Sequence, residues 1–119
     1  MKRVLVVEDN EDNMRLISYI FKKHGHEVIE ARDGAEGVAL AVKEKPDLIL
    51  MDIQLPDIDG LEATKRIRAS EADSDIPIIA ISSYAMPGDR EKALAAGCNG
   101  YITKPINVET FMADIEKYL

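Results

Sequence analysis

Five runs of apolar residues punctuate this chain, at about residues 3–7, 27–31, 47–51, 77–81 and 99–103, and each is followed by a stretch of helical period. Val4-Leu5-Val6-Val7 and Leu48-Ile49-Leu50-Met51 do not alternate with polar residues, as expected of strands covered on both faces. Five alternations of strand and helix predict an α/β fold, a doubly wound parallel sheet with helices on both sides.

The helix limits follow from local chemistry. Asn10 is a good N-cap and Gly25 a good terminator, so the first helix spans the interval between them, with Met14, Leu16, Ile17, Ile20 and Phe21 on one face. A second helix runs from about Gly34 to Lys45, where Pro46 stops it, and a third from about Asp59 to Ala69. The fourth, from about Pro87 to Ala96, offers little apolar surface beyond Ala93, Leu94 and Ala96, so it is expected to be the most weakly anchored. Asn107 caps the fifth, whose Val108, Phe111, Met112, Ile115 and Tyr118 recur at helical spacing and read as core or interface. Asp12 and Asp89, near helix starts, read as caps or dipole partners.

Length and charge narrow the function. A chain of 119 residues matches a single domain, 1–119, with one core. Its 22 acidic and 15 basic side chains leave a formal charge of −7, which disfavours nucleic acid and anionic membrane as partners. Cys98 is the only cysteine, no signal-peptide pattern opens the sequence, and no apolar run reaches membrane-spanning length. A cytoplasmic protein is expected. His24 and His26, beside Gly25, read as surface residues.

The chemistry collects where strands end. Glu8 and Asp9 follow the first strand and Asp52 the third, at the sheet edge where ligands of doubly wound folds bind. Like charges brought together there repel unless a cation joins them, which implies a hard divalent ion. Ser82 and Lys104 take the corresponding places after the fourth and fifth strands. Acids to hold Mg²⁺, an ammonium to balance charge, a hydroxyl to bond a phosphoryl oxygen and a carboxylate nucleophile suit phosphoryl transfer to Asp52.

The ordered set resembles the receiver domain of two-component response regulators, over essentially the whole chain. The matching segments are Val6-Val7-Glu8-Asp9-Asn10, the stretch from Asp47 to Gly60 around Asp52, Ser82, and Tyr101-Ile102-Thr103-Lys104-Pro105. The resemblance implies a flavodoxin-like (βα)5 three-layer sandwich with strand order 2-1-3-4-5. It makes Asp52 the phosphoacceptor and assigns Mg²⁺, with Mn²⁺ a substitute, to Asp9, Asp52 and the Gln54 backbone carbonyl, Glu8 acting through a water. Lys104 would pair with the phosphoryl group, Ser82 and Tyr101 would form the switch, and Lys104-Pro105 would be cis. Gln54 and Tyr84 would flank the phosphoryl group and set its lifetime. Glu8 stands where many relatives have Asp, and Ser82 where Thr is more frequent; neither change removes a reactive group.

The implied function is a signalling switch loaded by phosphohistidine of a sensor histidine kinase or phosphotransfer protein. Its output would reach an effector protein through the fourth helix, fifth strand and fifth helix, from a monomer or a dimer formed on phosphorylation. The expected protein is a stand-alone regulator or the receiver of a hybrid sensor kinase. Competing readings are weaker. A phosphatase on this chemistry needs an acid where Gln54 stands, and a flavin or nucleotide carrier needs a glycine-rich loop where Glu8-Asp9-Asn10-Glu11-Asp12 stands. A non-phosphorylated adaptor would have no use for the assembled acids and Lys104.

Overall fold

A computed structural model describes residues 1–70, 75–83 and 86–119. Five strands, β1 (Arg3–Val7), β2 (Glu27–Ala31), β3 (Leu48–Asp52), β4 (Ile78–Ser82) and β5 (Gly100–Thr103), alternate with five helices. These are α1 (Glu11–Lys23), α2 (Gly34–Glu44), α3 (Gly60–Ala69), α4 (Asp89–Ala96) and α5 (Val108–Glu116). The strands form one parallel sheet in the order β2-β1-β3-β4-β5, as expected.

Side chains alternate across each strand, so the unbroken apolar runs feed two cores. Leu5, Val7, Ile49, Met51, Ile78 and Ala80 pack with Ala41 of α2, Ala63 and Ile67 of α3, and Ala93 of α4. Val4, Val6, Leu48, Leu50, Ile79 and Ile81 pack on the opposite face with Phe21 and Ile17 of α1 and Phe111 and Ile115 of α5. Phe21 and Phe111 meet edge to face with ring centroids 5.6 Å apart, which joins α1 to α5.

Helix starts obey the capping chemistry. Asn10, Asp33, Asp59 and Asn107 each accept a backbone N–H of the first turn. Asp12 is therefore a dipole partner inside the first turn of α1, not its cap. Helix α4 is two residues shorter than expected because Gly88, in the left-handed region at φ 89°, occupies the N-cap position with no side chain to offer. Asp89 accepts the Met86 N–H instead (3.1 Å). Ala93 and Ala96 are its buried residues, while Leu94 is 44% exposed, so two methyl groups carry most of its apolar packing.

Strands β3, β4 and β5 each begin one residue later than the apolar runs suggested, and β3 and β4 end one residue later. Asp52 and Ser82 are thus the last strand residues rather than the first loop residues, and the ladder pairs them with Ile81 and Thr103. Their backbones are held by the sheet, which fixes where their side chains start. Among the described residues, no helix is long and apolar enough to cross a membrane.

Candidate functional site

Glu8 follows β1, Asp52 closes β3 and Lys104 follows β5. Alternation sets all three toward α1 and α5, the face on which Val6, Leu50 and Ile102 pack. Glu8 and Asp52 are only 1% and 3% exposed. Lys104 Nζ lies 2.8 Å from Glu8 Oε1 and 3.2 Å from Asp52 Oδ2, so one ammonium serves two buried carboxylates. Asp9 is exposed, yet a carboxylate oxygen from each of Glu8, Asp9 and Asp52 lies within 4.8 Å of the others.

The electrostatics show how little this arrangement is balanced. Burial pushes the Glu8 carboxyl above the ordinary glutamate range, and Asp52 pushes the same way against the pull of Lys104. Burial also works against the Lys104 ammonium, but Glu8 and Asp52 together outweigh it and hold it above the usual lysine value. Among the described residues, Glu8 Oε1 is the buried side-chain oxygen without a hydrogen bond; its contact with Lys104 satisfies charge but not hydrogen-bond geometry. Three converging carboxylates, one with an oxygen left over, form an all-oxygen donor set that fits a hard divalent cation.

Backbone groups steady the acids. The Asn10 N–H donates to Glu8 Oε2 (3.2 Å), and the Gln54 N–H donates to Asp52 Oδ1 (3.0 Å). The loop after β3 turns back at once, with the Gly60 N–H on the Ile53 carbonyl at 2.8 Å. Lys104 is positioned the same way, its N–H donating to the Ser82 carbonyl (2.8 Å), and the Lys104-Pro105 bond is cis as expected.

Ser82 does not join the acids. It is 2% exposed and shares the alternation of Ile78 and Ala80, whose side chains enter the α2, α3 and α4 core. Its Oγ accepts a hydrogen bond from Gln54 Nε2 at 3.0 Å. Tyr101 is half-buried against that same core. Tyr84 lies outside the described residues. His24 is exposed, its Nδ1 2.9 Å from the Ile20 carbonyl. His26 is half-buried and accepts the Lys2 N–H at 3.2 Å, and burial lowers its pKa.

Two positioning contacts were not foreseen from the sequence. Asp57, in the β3–α3 loop, accepts the N–H groups of Gly34 and Ala35 at 2.8 Å each, which ties that loop to the start of α2 and lowers its carboxyl pKa to about 2. Gln54 uses its side chain to reach Ser82. Both join loops more than twenty residues apart, and no local spacing in the sequence signals them.

Residues 4–116 match the model of the response regulator receiver domain. The chain is 47% identical over 118 residues to the polar-differentiation response regulator DivK of Brucella anthropi, covering 99% of this chain and 96% of the relative. Among solved structures it resembles chemotaxis protein CheY4 of Vibrio cholerae, with a TM-score of 0.94, 30% identity, and 100% and 99% of the two chains covered. It also resembles the receiver domain of sensor histidine kinase PA1611 from Pseudomonas aeruginosa, a structure with magnesium coordinated in its active site cleft. There the TM-score is 0.90, the identity 38%, and the coverage 98% and 96%.

Proposed function

The chain belongs to the response regulator receiver family, and we propose that it is a phosphoacceptor switch whose nucleophile is Asp52. The observation that carries this reading is the convergence of Glu8, Asp9 and Asp52 with Lys104 at one sheet edge. Asp52 attacks the phosphorus of a phosphohistidine; a P–O bond forms to the carboxylate as the P–N bond breaks, and the imidazole keeps the electron pair. Lys104, already 3.2 Å from Asp52, follows the charge onto the phosphoryl oxygens. The Gln54 N–H on Asp52 Oδ1 orients the nucleophile for attack.

Asp9, Asp52 and the Gln54 backbone carbonyl would hold Mg²⁺ or Mn²⁺, with Glu8 contributing through a water. When bound, the cation neutralises the clustered acids and the phosphoryl charge. Ser82 and Tyr101 form the switch, and Gln54 with Tyr84 sets the lifetime of the acyl phosphate. The phosphoryl donor is a sensor histidine kinase or a histidine phosphotransfer protein, and the effector meets α4, β5 and α5 of a monomer or of a dimer formed on phosphorylation. No small-molecule substrate is turned over, because Gln54 offers no acid where a leaving group would need a proton.

The test is intact-protein mass after incubation with acetyl phosphate, with and without Mg²⁺, on the wild type and Asp52→Asn. One phosphoryl gain that needs both Mg²⁺ and Asp52 is expected. No gain on the wild type, together with no Mg²⁺ binding, would replace this reading with a non-phosphorylated adaptor.

A further inference from the structure

Gln54 makes a two-point bridge between the loops at the ends of β3 and β4. Its Oε1 accepts the Ser83 N–H at 3.3 Å and its Nε2 lies 3.0 Å from Ser82 Oγ. A backbone N–H can only donate, so the oxygen of the amide must face Ser83 and the NH₂ must face Ser82. The orientation of the amide is therefore set by its partners. The bridge spans a hollow of about 180 Å³ lined by Ile53, Gln54, Leu61, Ser82, Asp89 and Lys92, on the side toward α3 and α4. Asp52 and Lys104 share the alternation of the opposite face.

We propose that Gln54 is a latch that holds the Ser82 hydroxyl away from the phosphoryl position, so that it opposes the phosphorylated arrangement. This inference rests on the phosphoacceptor reading of Asp52. Serine has no β-branch, so its hydroxyl samples several staggered positions at little cost. The bond from Gln54 favours the one in which Ser82 Oγ accepts from Nε2. When a phosphoryl group on Asp52 draws Ser82 toward it, the Gln54 bond breaks and the Ser83 N–H loses a fixed neighbour. The side chain of Gln54 thus acts through Ser82 as a positioning residue, separately from its backbone N–H on Asp52. Removing the latch moves the equilibrium toward the phosphorylated arrangement by the worth of about one hydrogen bond.

The test is a double-mutant cycle on beryllofluoride affinity at saturating Mg²⁺, read by fluorine NMR, on the wild type, Gln54→Met, Ser82→Ala and the double variant. Methionine keeps the length of glutamine and removes both polar ends. In the Ser82 background Gln54→Met is expected to tighten beryllofluoride about threefold to tenfold, the range that one net hydrogen bond supplies. In the Ser82→Ala background the same change is expected to have less than a ~2-fold effect. The Ser83 amide should exchange faster in Gln54→Met without beryllofluoride, since its acceptor is gone. An equal effect in both backgrounds would mean that Gln54 acts on the phosphoryl group directly, and unchanged or weaker binding would mean that it restrains nothing; each overturns the latch. A wild type that binds no beryllofluoride overturns the phosphoacceptor reading itself, an outcome distinct from binding without coupling.

Discussion

Gly60 lies directly against the backbone of Asp52: a Cβ at position 60 would stand 2.2 Å from the Asp52 carbonyl oxygen and 2.8 Å from the Ile53 Cα. These neighbours are main-chain atoms at a buried strand end, so a Cβ there can be accommodated only by a shift of the backbone itself. The start of α3 therefore lies against the backbone of the residue proposed as the phosphoacceptor. Gly60→Ala is expected to destabilise the fold by about 1–3 kcal/mol, the usual range for overpacking. It should also weaken Mg²⁺ binding, because the chain from Asp52 to Gln54 must shift. Urea unfolding and Mg²⁺ titration check the two effects; a fully stable variant would show that the strand end yields.

Among the described residues, Lys104 is the cation within reach of both buried carboxylates. Lys104→Met leaves Glu8 and Asp52 facing each other with no counter-charge, at an expected cost of about 3 kcal/mol without divalent ions. Saturating Mg²⁺ should stabilise this variant more than the wild type, because the ion then replaces the positive charge that Lys104 supplied. Equal stabilisation of the two proteins would dissociate Lys104 from the acidic site.

Asp57 predicts a pH dependence. Its folded pKa of about 2 lies below the ordinary aspartate value because the Gly34 and Ala35 N–H groups favour the carboxylate. A depressed carboxyl contributes stability above its unfolded pKa of ~3.9 and loses it as pH falls toward ~2. Asp57→Asn should therefore be less stable than the wild type at neutral pH, and the gap should close as acid is added. Urea midpoints of the two proteins from neutral pH down to pH ~2.5 decide it. A constant gap would mean that the bridge does not depend on charge.

Helix α4 is held at one end. Arg68 donates from Nε and Nη2 to the Gly97 carbonyl at 3.0 and 2.8 Å, and from Nη2 to Asn99 Oδ1 at 2.8 Å. The other end has no side-chain cap. Amides of 89–96 should exchange faster than those of α1, and Arg68→Met should speed them further by about fivefold, as expected for the loss of charge-assisted hydrogen bonds. Slow, uniform exchange across 89–96 would contradict the weak anchoring expected from the sequence.

Much of the candidate site was legible because its chemistry sits at the ends of apolar runs. Glu8, Asp9, Asp52, Ser82 and Lys104 each follow such a run, and parallel strands bring their carboxyl ends to one edge. The one-residue error at β3 and β4 has a simple cause: a polar residue ends a hydrophobic pattern but does not end the ladder, since Asp52 and Ser82 still pair through their backbones. The Asn10, Gly25 and Asn107 signals were reliable because capping is local. The Gly88 cap was missed because it offers no side chain to recognise.

Hydrophobic period and cap residues by themselves determined five strands, five helices and the edge at which the reactive groups gather, since these depend on neighbours within a turn or a strand. Which face each group takes, and which loop it touches, was decided only by the folded chain. Ser82 is set apart from Asp52 by strand alternation and held by Gln54; Asp57 finds the start of α2; Gly60 leaves Asp52 no slack. Those contacts depend on how far the sheet carries one loop toward another, a distance in space that no spacing along the chain encodes.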